Sequence, residues 1–209
     1  EKIKEDVKNF LKEKLHLDMS EEKTKVTHSS ESVRYLGYDF KVIHSKNVKR
    51  CENGDMKRVW HGKVFLYVPK EKWIKKAMER NAIQVKRNND TGKEMWRPMP
   101  RKDLMNRNDA EIVTMFNSEI RGLYNYYRIA ENVGTLHQYY YMVRYSMLKT
   151  LAGKHRTTVS AIKKRYMVHG VLRVPYETTK GLKYCEFYHD GFRKHSDGYN
   201  LSLIHISEP

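Results

Sequence analysis

The chain has 209 residues, with 41 Lys and Arg against 25 Asp and Glu, a net charge of +16, a sequence pI near 9.7 and 39% apolar residues. That is enough chain for one ordinary domain or two small ones, and its many tyrosines, tryptophans and phenylalanines argue against a disordered polyelectrolyte. No apolar run approaches the ~18 residues a membrane span needs, and of the two cysteines, Cys51 and Cys185, neither has a second Cys or a His at metal-ligand spacing, which argues against a zinc knuckle or a disulfide framework and fits a reducing, cytoplasmic setting.

Taken in chain order, Val7, Phe10, Leu11 and Leu15 recur at helical spacing, predicting an amphipathic helix that ends near His16. Tyr38, Phe40 and Val42 alternate with polar residues as in a strand, Asn53-Gly54-Asp55 marks a tight turn, and Val64–Val68 alternates again, so residues 41–68 read as β-hairpin material. Pro69 suits the first turn of a helix carrying Trp73, Ile74, Ala77 and Met78. The polar stretch from Asn88 to Pro100 reads as an exposed loop.

Asn108 followed by Glu111 is a capping signal for a long helix reaching about Ala130. Its apolar stripe is Ile112, Phe116, Ile120, Leu123, Tyr127 and Ala130; Thr114, Asn117, Ser118, Arg121, Asn125 and Arg128 form the opposite, wet face. A further helix over 136–152 turns Leu136, Tyr140, Val143, Met147 and Leu151 inward and ends at Gly153. Tyr141, Tyr145 and Lys149 stripe its far side, as a base-stacking surface or a second packing face. A fourth helix begins near Thr158 and carries Lys163, Lys164 and Arg165.

The charge is unevenly spread. Residues 132–176 hold 8 basic side chains and no Asp or Glu, together with six tyrosines. A soluble face normally mixes both signs, so this stretch points to a polyanion, and basic groups interleaved with stacking surfaces favour RNA or single strands over membranes. Catalytic signals are missing: there is no adjacent Asp pair, P-loop, HExxH or GxSxG, and His155 and His169 read as surface groups rather than ligands. From residues alone the fold class is α+β and the function nucleic-acid binding. A helix-turn-helix-like DNA-binding module is the rival, weakened because no short turn is expected between two small helices.

Two longer segments take the argument further. Leu15 to His28 followed by Tyr35-Leu36-Gly37-Tyr38-Asp39-Phe40 resembles the closing palm segments of group II intron-encoded reverse transcriptases. Asn117 to Tyr127 with Ala130 and Asn132, then Tyr145 to His155, resembles domain X, the maturase domain that forms the thumb of that family. The resemblance implies a palm end over 1–45, a β-hairpin connector over 46–68, a mainly helical thumb and domain X over 69–169, and the start of a DNA-binding region over 170–200. Residues 201–209 resemble a translated sequencing adapter, and with Glu1 lacking an initiator Met the chain reads as a fragment.

The same resemblance implies intron RNA as partner and support of splicing, in a bacterial cytoplasm. It places Leu36, Gly37 and Tyr38 by a primer terminus and makes Lys23 a candidate proton donor to departing pyrophosphate, although a solvated turn would carry such a Lys equally well. The RNA-facing candidates are Arg121, Asn125, Arg128, Tyr141, Arg144, Tyr145, Lys149, Lys154, Arg156, Lys163, Lys164 and Arg165. On this reading the complete protein is an RNA-directed DNA polymerase that uses magnesium, a DNA target and a primer. The present residues lack the paired carboxylates such chemistry needs, so they are expected to bind no cofactor and to be inactive alone.

Overall fold

A computed structural model describes residues 2–22, 24–28, 30–44, 46–58 and 62–195. The chain divides into two compact units, residues 1–65 and 66–209. Lys23 and the stretch 201–209 lie outside the described residues.

In the first unit, helix α1 (Lys2–Leu15) is followed by strands β1 (Val33–Tyr35) and β2 (Tyr38–Ile43). These two pair antiparallel, with Val33 opposite Phe40. The Leu36-Gly37 link has φ of +46° and +79°. Positive φ at both central residues is what a two-residue I′ hairpin turn requires, which explains the glycine. Arg34 clasps Asp39 across the hairpin with two hydrogen bonds of 2.7 and 3.1 Å. Strands β3 (Val48–Arg50) and β4 (Met56–Arg58) form a second hairpin around the Asn53-Gly54 turn, and β5 (Lys63–Tyr67) joins the β1-β2 sheet beside β2.

The second unit starts with helix α2 (Lys70–Glu79), which has Pro69 at its N-cap and buries Trp73 and Ala77. The stretch expected as a loop is a hairpin instead: β6 (Ile83–Arg87) pairs with β7 (Glu94–Pro98), Val85 opposite Trp96. Tertiary packing creates it. The Trp96 ring meets Trp73 edge-on at 5.3 Å, a contact worth about 0.5–1.5 kcal/mol beyond its buried area. At the tip Asn88 Oδ1 accepts from the Asp90 and Thr91 amides, and Gly92 takes a φ of +64°.

Helix α3 (Asp109–Tyr127) begins as predicted. Asn108 Oδ1 accepts from the Glu111 amide at 2.8 Å, and the Glu111 carboxylate accepts from the Asn108 side-chain amide. Asn108→Ala should therefore cost about 1 kcal/mol, measured by urea unfolding, while leaving the denaturant slope unchanged. All six residues of the predicted apolar stripe, from Ile112 to Ala130, are buried.

The central element is α4 (Leu136–Lys154), which packs against α2, α3, β6, β7 and the short helix α5 (Val159–Tyr166). It runs through Gly153 and is capped at His155, with the left-handed residue at Arg156. Thr158 Oγ1 caps α5 by accepting from the Ala161 amide. The turn between α4 and α5 is only four residues, shorter than the sequence pattern suggests. Yet α4 is a core helix rather than a small one, and α5 runs directly into β8 (Met167–Val168). Strands β8, β9 (Val171–Thr178) and β10 (Gly181–Glu186) complete an antiparallel sheet that packs on α3 and α5. The segment beyond it docks through buried Phe187, Tyr188 and Phe192, so residues 170–195 are built into the same unit as the helices. The class is α+β.

Candidate nucleic-acid interface

The outer side of α4 carries the expected aromatic pair. Tyr141 and Tyr145, one turn apart, hold their rings 4.8 Å from each other, and Tyr141 is 55% exposed. Lys163 reaches over from α5, its ammonium 4.9 Å from the Tyr145 ring and 3.4 Å from the Tyr145 hydroxyl. That ammonium holds the Tyr145 phenol below its ordinary range, while hydrogen bonding to Tyr145 pushes the Tyr141 phenol up. Arg144 is half-buried and rests one guanidinium nitrogen 3.8 Å from the Met167 sulfur. Lys164, Arg165 and Arg156 are exposed, with the Arg165 guanidinium 5.1 Å from the Tyr166 ring. The exposed Tyr141 ring, with cations on neighbouring residues, forms a surface suited to a stacked base and nearby phosphates.

The other candidates separate into two groups. Arg121 and Asn125 are exposed on α3, without an ion pair or hydrogen bond among the described residues; Arg128 is half-buried, and its carbonyl accepts from the His195 amide. Glu119, the nearest acidic residue in sequence to Arg121, is taken instead by Arg80 and Arg101. Asn117 leaves the wet face altogether. Buried on α3, it donates to the Glu186 carbonyl at 2.7 Å and accepts from the Tyr188 amide at 2.8 Å, stapling the C-terminal segment to the helix.

Lys149 and Lys154 are committed to internal acceptors. Lys149 Nζ donates to the Pro98 carbonyl at 2.8 Å, beside Ser146, whose hydroxyl donates to the Met99 carbonyl, and Thr150, whose hydroxyl accepts from the Arg101 amide. This one helix face thus pins the link between β7 and α3. Lys154 Nζ reaches Asp109 at 2.6 Å and the Arg107 carbonyl at 2.6 Å. His155 and Tyr166 converge on the same carboxylate at 2.6 and 2.7 Å, so His155 is a structural partner rather than a surface group. Burial alone would raise the Asp109 pKa, and the hydrogen bonds from Lys154, Tyr166 and His155 outweigh it and hold the group low. Burial and that same carboxylate push the Tyr166 phenol up to about 12.

Asn132 is a further anchor that periodicity could not reveal. Its amide accepts from the Val68 N–H at 2.7 Å and donates to the Val68 carbonyl at 3.2 Å, tying the entry of α2 to the α3–α4 connection. In the first unit, Leu36 is exposed at the hairpin tip and Tyr38 is buried. Among the described residues no three His, Cys, Asp or Glu side chains converge where a metal ion could sit. No helix among the described residues is long and apolar enough to cross a membrane.

Comparison with known proteins adds to this geometry. The family model of the type II intron maturase matches residues 61–193, which is almost the whole described part of the second unit. The chain is 39% identical over 181 residues to the group II intron-encoded protein LtrA of Lactococcus lactis subsp. cremoris, covering 86% of this chain and 29% of that protein. It is also 34% identical over 72 residues to maturase K of Marchantia polymorpha, covering 34% of this chain and 20% of that protein. The chain thus spans less than a third of the length of these relatives. Within the two segments that carry the sequence resemblance, Asn117, Asn132, Ser146, Lys149, Thr150, Lys154 and His155 make long-range hydrogen bonds of the second unit, and the chain belongs to the type II intron maturase family.

Proposed function

We propose that the second unit binds group II intron RNA and favours its spliceable fold. The observation that carries this reading is the surface Tyr141–Tyr145 pair with Lys163 over the Tyr145 ring, leaving Tyr141 exposed, in 45 residues that contain no carboxylate. Such a protein needs no bond chemistry of its own. Contacts made only to the folded RNA shift its population toward that state by their differential free energy. Arg144, Arg156, Lys164 and Arg165 supply the phosphate attraction, and Arg121, Asn125 and Arg128 a second polar surface. For the complete protein we propose RNA-directed DNA polymerase activity with magnesium, a DNA target and a primer. What supports that reading is the likeness of residues 15–28 and 35–40 to the palm of group II intron-encoded reverse transcriptases, together with the 39% identity to a group II intron-encoded protein.

The test is binding of a group II intron RNA across a salt series. Tyr141→Ala with Tyr145→Ala should weaken binding about tenfold or more at every salt concentration, the value of one or two stacked bases, with the salt slope intact. Lys163→Gln with Lys164→Gln should instead flatten the slope by roughly one for each phosphate no longer neutralised. Parent-like affinity in both variants would defeat the assignment of this face.

A further inference from the structure

A second surface of the same unit has its own chemistry, and it lies in the backbone. Strand β10 is the outer strand of its sheet, with β9 on one side only. The β9–β10 register, with the bond from the Phe187 amide to the Leu172 carbonyl, sets the alternation along it. Gly181, Lys183 and Cys185 bond to β9, while Leu182, Tyr184 and Glu186 turn their N–H and C=O groups outward. Asn117 closes one end of this edge. Its side-chain amide donates to the Glu186 carbonyl and accepts from the Tyr188 amide, two bonds of the kind a neighbouring strand supplies. Leu182 and Tyr184 have no backbone partner on that side among the described residues, and each is 59% exposed. A row of open backbone groups beside apolar side chains is a template for another strand, and proteins ordinarily blunt it.

An open groove of about 950 Å³ runs beside this edge, between the first half of α3 and the hairpin. Its charges are largely matched within the protein: Glu111 faces Arg107 at 3.9 Å, Glu186 faces Arg173 at 2.8 Å, and Asp109 is held by Lys154. The two lining charges left over, Arg121 and Glu177, are of opposite sign. Such a groove lacks the surplus of cations that phosphate binding draws on, whereas a polypeptide needs only the open N–H and C=O groups. The side chains then specify the guest. Leu182 and Tyr184 lie on the outer side of the hairpin, and Lys183 between them lies on the side of Cys185, which touches Thr114 of α3. Residues of an added strand opposite Leu182 and Tyr184 are best apolar. The one opposite Lys183, which has no ion-pair partner among the described residues, is best acidic. We propose that the open edge of β10 at Leu182 and Tyr184 docks an extended segment of a partner protein as an added strand, with an apolar–acidic–apolar triplet at its centre.

The probe is a labelled synthetic peptide, acetyl-Thr-Thr-Val-Glu-Val-Thr-Thr-amide, titrated into the full chain and followed by amide hydrogen exchange. Binding should be saturable and should slow exchange of the Leu182 and Tyr184 amides. A peptide with Lys in place of Glu should bind about fivefold more weakly, and Lys183→Glu should invert that preference. The same peptide N-methylated at both valines cannot donate to the edge and should bind at least about tenfold more weakly. Tyr184→Pro should lose the peptide to the same degree, yet keep the hairpin and the parent's affinity for intron RNA, because the amide it removes takes no part in the ladder. Tyr184→Phe should bind like the parent. Absence of peptide binding, equal binding of the methylated peptide, or exchange unchanged at Leu182 and Tyr184 would overturn strand addition. Protection of these two amides by intron RNA would give the groove to RNA, and protection that rises with protein concentration alone would give the edge to a second copy. Either result overturns the proposal.

Discussion

Glu119→Ala is expected to destabilise the second unit by about 3–5 kcal/mol, the cost of removing one partner from a buried ion pair. Arg101 is 4% exposed, and its guanidinium donates to Glu119 at 2.8 Å while lying 5.2 Å from the Phe116 ring. Its remaining acidic neighbour, Asp103, is 3.3 Å away and more than half exposed. Arg80, the second partner of Glu119, can turn to solvent, but Arg101 cannot. At roughly 2–4 °C per kcal/mol for a chain of this size, the melting temperature should fall by roughly 6–20 °C. Glu79→Ala, which removes an exposed pair with Lys75 at 3.9 Å, is the control and should change almost nothing. Replacing Arg101 by Met together with Glu119 by Leu should restore much of the loss, because the stranded charge is then gone. A Glu119→Ala protein as stable as the Glu79→Ala control would refute the buried-pair account.

Asp109→Asn should cost roughly 2–3 kcal/mol, and in a pH-dependent way. The carboxylate ties the start of α3 to the end of α4 through Lys154 and His155 and to the end of α5 through Tyr166. Hydrogen bonds to a charged group contribute about 1.5–3 kcal/mol each and are not additive around one carboxylate. The Asp109 pKa is lower in the folded state than the unfolded value of about 3.9. Its contribution is therefore fully present above that value and is lost as pH falls through the folded pKa. The difference in melting temperature between parent and Asp109→Asn should shrink as the solution is acidified below about pH 4. A difference that grows on acidification would mean that Asp109 is not held charged by these partners.

Much of the helical architecture is legible in the sequence, because its signals are local. The Asn108–Glu111 capping box, the Ile112-to-Ala130 stripe, Pro69 ahead of α2 and the Thr158 start of α5 each involve residues within a few positions of one another, and each reappears in the structure. The β6–β7 hairpin is not legible. Its outward side chains are mostly polar, with Met95 exposed among them, and the half-buried Trp96 finds its partner in Trp73, a residue from another element. Gly153 misleads for a related reason: it lies in the last turn of α4, and its missing side chain faces Met105 rather than a helix end.

The candidate site divides in the same way. Composition establishes that 132–176 is a basic, tyrosine-rich stretch without a carboxylate, and so which kind of partner it suits. It cannot tell Lys149 and Lys154 from Lys163 and Lys164. The acceptors that engage the first pair, the Pro98 and Arg107 carbonyls and Asp109, come from 45 or more positions earlier in the chain. The tyrosines divide likewise: Tyr139 is in the core, Tyr140 donates to the Tyr188 carbonyl and Tyr166 to Asp109, whereas the Tyr141 and Tyr145 rings stay on the outer side of α4. The α+β class, the helices, the sign and density of charge and the family can all be read from residue order. Which cations and rings remain available to a ligand is settled by folding, because a side chain's availability depends on acceptors and packing partners brought from distant parts of the chain.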